Sequence, residues 1–111
     1  MRRPDGATTR AYLAGVLLAN ALPHLASAVA GRRHLTPLGG RGSSPGTNLV
    51  WAVANLAGGA ALLRSATSDT SGAQRWDGRL VAFEAGALTL SAWMLVSERV
   101  AEVNHTRTAT L

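Results

Sequence analysis

Three apolar stretches that contain no Arg or Lys alternate with polar segments along this chain. The apolar stretches cover residues 11–30, 49–63 and 80–96, and short groups of arginine lie beside each of them. About 20 apolar residues in a helix cross the hydrocarbon core of a bilayer. The pattern therefore predicts an all-α, polytopic membrane protein with three transmembrane helices.

The polar ends set the predicted domain boundaries. We predict a single membrane domain over residues 11–96, between a polar N-terminus at residues 1–10 and a polar C-terminal tail at residues 97–111. Within that domain, the first span is predicted at residues 11–30 and the third at residues 80–96.

The second apolar stretch is short, and a helix-start signal before it lengthens the predicted span. Ser44 can accept a hydrogen bond from the orphan N–H groups of a helix N-terminus. Pro45 fits the first helical position, where no N–H is needed. The second span is therefore predicted at residues 45–63, just long enough to cross the bilayer.

Composition and charge agree with a membrane class. Charged residues make up 15% of the chain, whereas soluble domains carry about 25%. The net charge of +5 comes from 11 arginines that lie beside the apolar stretches, a placement typical of contacts with anionic lipid headgroups. We therefore expect the lipid bilayer of the cell membrane as a partner, with a multi-pass topology, and no binding of nucleic acid.

The numbers of arginines on the two sides of the membrane are nearly equal, so charge alone does not set the orientation. Three spans place six arginines on the side of the N-terminus and five on the side of the loop at residues 31–48. The grouping of Arg2, Arg3 and Arg10 before the first span favours an N-terminus on the inner side.

Polar side chains fall on one face of the first span. Asn20, His24 and Ser27 have the spacing i, i+4, i+7, which brings them together on a helix. Pro23 lies among them and removes the N–H that would bond the carbonyl of Ala19, so we predict a kink there. The simplest interpretation is a polar face that packs against the other spans, and the alternative is that His24 titrates or binds a ligand.

The second span repeats this arrangement. Asn48 and Asn55 share a face with Ala52 and Gly59. Small residues allow helices to approach closely, and Asn can hydrogen-bond across the contact. We expect this face to pack inside the three-helix unit or to join two copies of the chain.

The third span contains the only acidic residue within an apolar stretch, Glu84, and Ser91 follows on the same face. A carboxylate at membrane depth is a functional candidate by default. Three interpretations stay open for Glu84: an anchor near the headgroups beside Arg79, a buried pair with His24 or Asn20, or a site that handles protons or ions.

Motifs for catalysis are missing from the sequence. It contains no Gly-rich phosphate loop and no H-E-x-x-H, and the absence of Cys excludes disulfides and thiolate metal sites. We therefore predict no enzyme activity, no catalytic residues, no metal site and no cofactor.

The runs N-x-L-P-H-L, G-R-R-x-L-T-P-L and S-S-P-x-x-N-x-x-W-x-x-x-N-L resemble a family of small, uncharacterised bacterial integral membrane proteins. The resemblance covers about residues 11–63. The positions that carry it are Asn20, Pro23, His24, Gly31, Thr36, Pro37, Ser43, Ser44, Pro45, Asn48, Trp51 and Asn55. It implies membrane residence and an uncleaved first helix, and it implies no activity.

The leading hypothesis is a structural or accessory membrane component that associates with itself or with a larger complex. A second hypothesis is a minimal ion or proton transport unit that uses Glu84 and His24. A third is an exported protein with a signal peptide cleaved after Ala28-Val29-Ala30, because arginines precede an apolar segment there. A fourth is a soluble helical bundle.

The three-span topology makes a direct prediction about sidedness. Tags inserted at Gly40 and Thr70 are expected on opposite sides of the membrane, because one span separates the two loops. Tag accessibility or protease protection in sealed vesicles measures this. Exposure of both positions on the same side would contradict the topology.

Overall fold

The computed structural model describes residues 6–68 and 78–101, with side-chain burial defined up to residue 98. Within these ranges the chain forms three α-helices and no strand: α1 is Gly6–Val29, α2 is Pro45–Thr67 and α3 is Gly78–Ala101. All three are long and apolar enough to cross a membrane. The all-α architecture with three candidate membrane spans is thus confirmed.

Each helix is longer than its apolar stretch. α1 begins at Gly6, five residues before the predicted first span, so part of the polar N-terminal segment is helical. Likewise α2 continues to Thr67, and α3 runs from Gly78 to Ala101. The backbone hydrogen bonds of a helix do not depend on apolar side chains, so a helix continues past the end of its apolar stretch. The remainder of the predicted polar ends, at residues 1–5 and 102–111, lies outside the described residues.

The start of α2 follows the signal in the sequence. The hydroxyl oxygen of Ser44 accepts a hydrogen bond of 3.1 Å from the backbone N–H of Thr47, and Pro45 occupies the first helical position. This capped start confirms the predicted beginning of the second span. In α1 the helix continues through Pro23 to Val29.

The first helix is the centre of the fold. α1 packs along both α2 and α3, while α2 and α3 scarcely touch each other within the described residues. The buried apolar residues are all alanines, which include Ala11, Ala14 and Ala52. Small side chains let the backbones approach closely, so van der Waals contact and hydrogen bonds hold the helices together in place of a core of large side chains.

Two glycines form the contact between α1 and α3. A Cβ built on Gly15 would overlap the carbonyl oxygen of Phe83, and one built on Gly86 would overlap the carbonyl oxygen of Tyr12. Each helix therefore places a glycine against the backbone of the other. Only glycine allows this approach, because any larger residue would push the two helices apart.

This reciprocal contact predicts the effect of a single methyl group. Gly86→Ala is expected to destabilise the protein by about 1–3 kcal/mol, the usual cost of overpacking, because the new Cβ meets the backbone of Tyr12. Thermal unfolding in detergent measures the loss. Gly58→Ala is the matched control, since its Cβ would make an ordinary contact of 3.4 Å with the Leu17 side chain. Equal melting temperatures for the two variants would contradict the close packing of α1 and α3.

Candidate functional site

Polar side chains from α1 and α2 meet where the loop at residues 31–44 connects the two helices. The Nδ1 atom of His24 lies 2.7 Å from the Oδ1 atom of Asn48, and both side chains are buried. This hydrogen bond joins the polar faces that were predicted separately for the two spans. His24, Ser27, Asn48 and the loop residue His34 are called the His24 cluster below.

Asn48 is the centre of this cluster. Its Nδ2 group lies 3.0 Å from the carbonyl oxygen of His34 and 3.1 Å from those of Ser43 and Ser44. These acceptors fix the orientation of the amide, so its Oδ1 atom must accept from His24. His24 is therefore the tautomer that carries its proton on Nδ1 when neutral, with Nε2 as its acceptor nitrogen.

His34 completes the cluster from the loop. Its ring stacks on that of His24 with a centroid distance of 4.4 Å, and its Nδ1 atom lies 3.1 Å from the hydroxyl oxygen of Ser27. Its backbone N–H donates to the carbonyl oxygen of Ser43 at 3.3 Å. Sequence reasoning missed this residue, because His34 lies beyond the end of α1 and shares no helical spacing with the cluster. Only the folding of the loop brings it back against Ser27.

The loop itself is held by short polar side chains. Backbone hydrogen bonds link Thr36 and Gly40 in both directions, at 3.2 and 2.8 Å, and Gly40 has a positive φ of 77°. The hydroxyl of Ser43 donates to the carbonyl oxygen of Gly40 at 2.7 Å, so the Thr36 hydroxyl donates to Ser43 across 2.8 Å. The loop is thus an ordered cap over the end of α1 and α2.

A second interhelical hydrogen bond lies deeper in the pair. The Nδ2 group of Asn20 donates to the Oδ1 atom of Asn55 at 3.1 Å, and the Nδ2 group of Asn55 donates to the carbonyl oxygen of Trp51 at 2.8 Å. The predicted polar faces of α1 and α2 therefore pack against each other within one chain. The homo-oligomer seam that was the alternative for the face of Asn48 and Asn55 is not available, because both residues are buried in this contact.

Glu84 and Ser91 lie apart from the His24 cluster. Both are exposed on α3, and the hydroxyl of Ser91 donates to the carbonyl oxygen of Ala87 in its own helix at 2.8 Å. Trp93 and Met94 are the α3 residues that share a cleft with His24, which places Glu84 roughly 14 Å away along the helix axis. Of the three interpretations of Glu84, the buried pair with His24 or Asn20 is therefore wrong.

A cleft of about 320 Å³ opens beside the cluster, between α1, the loop and the ends of α2 and α3. We call it the Asn20 cleft. Besides three loop residues, Leu35, Thr36 and Pro37, its lining consists of Asn20, His24, Trp51, Trp93 and Met94. The sequence pattern did not predict this cleft, because the residues that line it come from four separate segments of the chain.

The site is built from amide, hydroxyl and imidazole groups that hydrogen-bond one another. Within residues 6–68 and 78–101, no group of three or more His, Asp or Glu side chains is placed to hold a metal ion. Ser27 and His34 form a hydroxyl–imidazole pair, but both are buried, and a nucleophile needs access to its substrate. The arrangement is suited to joining helices and to hydrogen-bonding a neutral molecule in the Asn20 cleft.

The role of Asn48 predicts a large effect of its removal. Asn48→Leu is expected to destabilise the protein by about 2–4 kcal/mol, because three carbonyl groups and His24 lose a buried partner. Thermal unfolding in detergent and tryptic cleavage after Arg41 in the loop measure the change, and cleavage is expected to become faster. Thr89→Leu is the control, since Thr89 is exposed and bonds only to Ala85 of its own helix. Cleavage at the wild-type rate in the Asn48 variant would contradict the role of Asn48 in holding the loop.

No protein-family model, curated protein or solved structure matches this chain. The resemblance to small bacterial membrane proteins therefore stays a prediction, carried by residues such as His24, Thr36, Asn48 and Asn55. In the structure, His24 bonds Asn48, Asn55 bonds Asn20, and Thr36 lines the same cleft as His24 and Asn20.

Proposed function

We propose that the protein is a multi-pass component of a bacterial cell membrane, with a structural or accessory role in a larger assembly or in contact with further copies of itself. The observation that carries this proposal is the position of Glu84. Its carboxylate is exposed on α3, and no hydrogen bond or ion pair joins it to the described part of the chain.

The surroundings of Glu84 are apolar. Val81 and Leu88 lie one turn before and one turn after it on the same face, and they are 65% and 70% exposed. A charge in the hydrocarbon region costs roughly 2.5–3.5 kcal/mol on insertion scales. A polar group from a neighbouring helix would remove this cost, so the exposed face of α3 favours a protein partner over lipid alone.

The polar groups of α1 and α2 support the same role. Asn20, His24 and Asn48 hydrogen-bond within the chain, so they hold the unit together and do not face a neighbour. A unit whose inner polar groups are satisfied, with one polar group on its outer surface, is suited to assembly through α3.

Arginine side chains support residence in a membrane with anionic lipids. Arg32, Arg33 and Arg41 are exposed in the loop at one end of the helices, and Arg64 is exposed near the other end. Cations at both ends of membrane-spanning helices contact anionic headgroups, which are a feature of bacterial cell membranes.

The transport hypothesis receives no support from the site. Glu84 and His24 lie at different depths, and Glu84 is on the outer surface of α3. A proton path needs titratable groups within reach of one another, and the described residues offer no such chain between these two.

Cleavage of the first span as a signal peptide conflicts with the packing. Removal of residues 1–30 would remove α1, the helix against which both α2 and α3 pack. It would also remove His24, which bonds Asn48. We therefore propose that α1 remains in the mature protein.

Site-specific cross-linking tests the assembly role. A photoreactive residue at Leu88 is expected to give a product larger than the single chain in native membranes, identified by mass spectrometry as a second copy or another membrane protein. When Glu84→Gln is introduced into the same chain, the yield of this product is expected to fall several-fold. The substitution removes a hydrogen bond to a charged group, which contributes about 1.5–3 kcal/mol.

The matched control places the same photoreactive residue at Val53, which is 55% exposed on α2. It is expected to give less intermolecular product, and its yield is expected not to change with Glu84→Gln. A yield at Leu88 no higher than at Val53 would contradict the assembly role.

A further inference from the structure

The Asn20 cleft exists because α2 and α3 diverge. Both helices pack on α1 but scarcely on each other, so a space remains between Trp51 on α2 and Trp93 on α3. Asn20 and His24 of α1 lie at its base. Trp93 is 58% exposed, so the cleft is open along its α3 side.

The lining carries no Arg, Asp or Glu side chain. A metal cation would therefore meet no carboxylate there, and a phosphate headgroup would meet no guanidinium, which is unfavourable in a medium of low dielectric. The two indoles of Trp51 and Trp93 and the thioether of Met94 offer flat, polarisable surfaces that suit a ring. The lining thus selects a neutral molecule with an aromatic or similarly flat head.

The hydrogen-bonding groups at the base define the polarity of that head. The Nδ2 group of Asn20 is used by Asn55, whose own Nδ2 group is used by the carbonyl of Trp51. The Oδ1 atom of Asn20 accepts no hydrogen bond from the described part of the chain, and Asn20 is only partly buried. This oxygen is therefore available to accept a hydrogen bond from a molecule in the cleft.

We infer that the Asn20 cleft binds a membrane-soluble quinol, a hydroxyl-bearing aromatic ring with an apolar tail. One ring hydroxyl donates to Asn20 Oδ1, the ring lies between the indoles of Trp51 and Trp93, and the tail leaves past Trp93 into the lipid. A cleft of about 320 Å³ has room for one substituted ring. This inference does not depend on the assembly role, because the cleft lies about 14 Å along the helix axis from Glu84.

The oxidised and reduced forms of one probe test the donor requirement without any mutation. The purified full chain in nanodiscs is titrated calorimetrically with a decyl-tailed benzoquinol under anaerobic conditions, and then with the corresponding benzoquinone. The quinol is expected to bind about tenfold more tightly, because the quinone has no hydroxyl to donate to Asn20. Equal affinities for the two forms would overturn the inference.

Two pairs of matched variants locate the site. Met94→Trp is expected to fill the cleft and weaken quinol binding at least about tenfold, while Leu95→Trp, on the exposed neighbouring position, leaves it unchanged. Asn20→Leu and Asn55→Leu each remove the same interhelical hydrogen bond, but only Asn20→Leu is expected to abolish the preference for quinol over quinone.

Unchanged quinol affinity in the Met94→Trp variant, or a retained quinol preference in Asn20→Leu, would overturn the inference. Because the ratio of the two affinities is compared within each variant, a general loss of stability does not imitate loss of the acceptor. If Leu88 gives no cross-linked product but the protein still prefers quinol over quinone, the assembly role is contradicted and the quinol site is not.

Discussion

Hydrogen bonds of the Asn48 amide connect α1, the loop and the start of α2. In hydrocarbon, an unpaired carbonyl or amide has no water to bond with, so each polar group must find its partner in the protein. Asn48 supplies three carbonyl groups of the loop and of the start of α2 with a donor, and it supplies His24 of α1 with an acceptor. The loop, α1 and α2 are therefore one hydrogen-bonded unit.

The contact between α1 and α3 depends on a different constraint. Gly15 and Gly86 bring the backbones of the two helices into direct contact. Van der Waals contact is the main attraction there, and it falls quickly as the distance between the helices grows. α1 thus contacts α2 through hydrogen bonds and α3 through close packing of the two backbones. Because α2 and α3 both pack on α1 and scarcely on each other, they diverge.

That divergence links the two proposals. The space between Trp51 and Trp93 is the Asn20 cleft, whose neutral lining and single open acceptor fit a hydroxyl-bearing ring. The outer surface of α3, with Glu84 between Val81 and Leu88, faces away from this space. In the two proposals, one surface of this helix contacts a small molecule and the other contacts a protein neighbour.

Periodicity alone predicted much of the α1–α2 contact. Asn20, His24 and Ser27 share a helical face, as do Asn48 and Asn55, and polar faces in lipid must meet each other. The Ser44-Pro45 start was equally local, because a cap depends on residues within one turn. For Glu84 the same reasoning left three interpretations open, since its spacing with Ser91 shows that they share a face but not which direction the face points.

The sequence by itself determined the class of the protein, its three helices and the polar faces of α1 and α2. Each of these follows from local composition and a period of 3.6 residues. Only the tertiary structure decided that His34 folds back against Ser27 and His24, that α1 is central, and that Glu84 lies outside. These features depend on which helix packs on which, and that choice is made by contacts such as Gly15 on Phe83 between residues far apart in the chain.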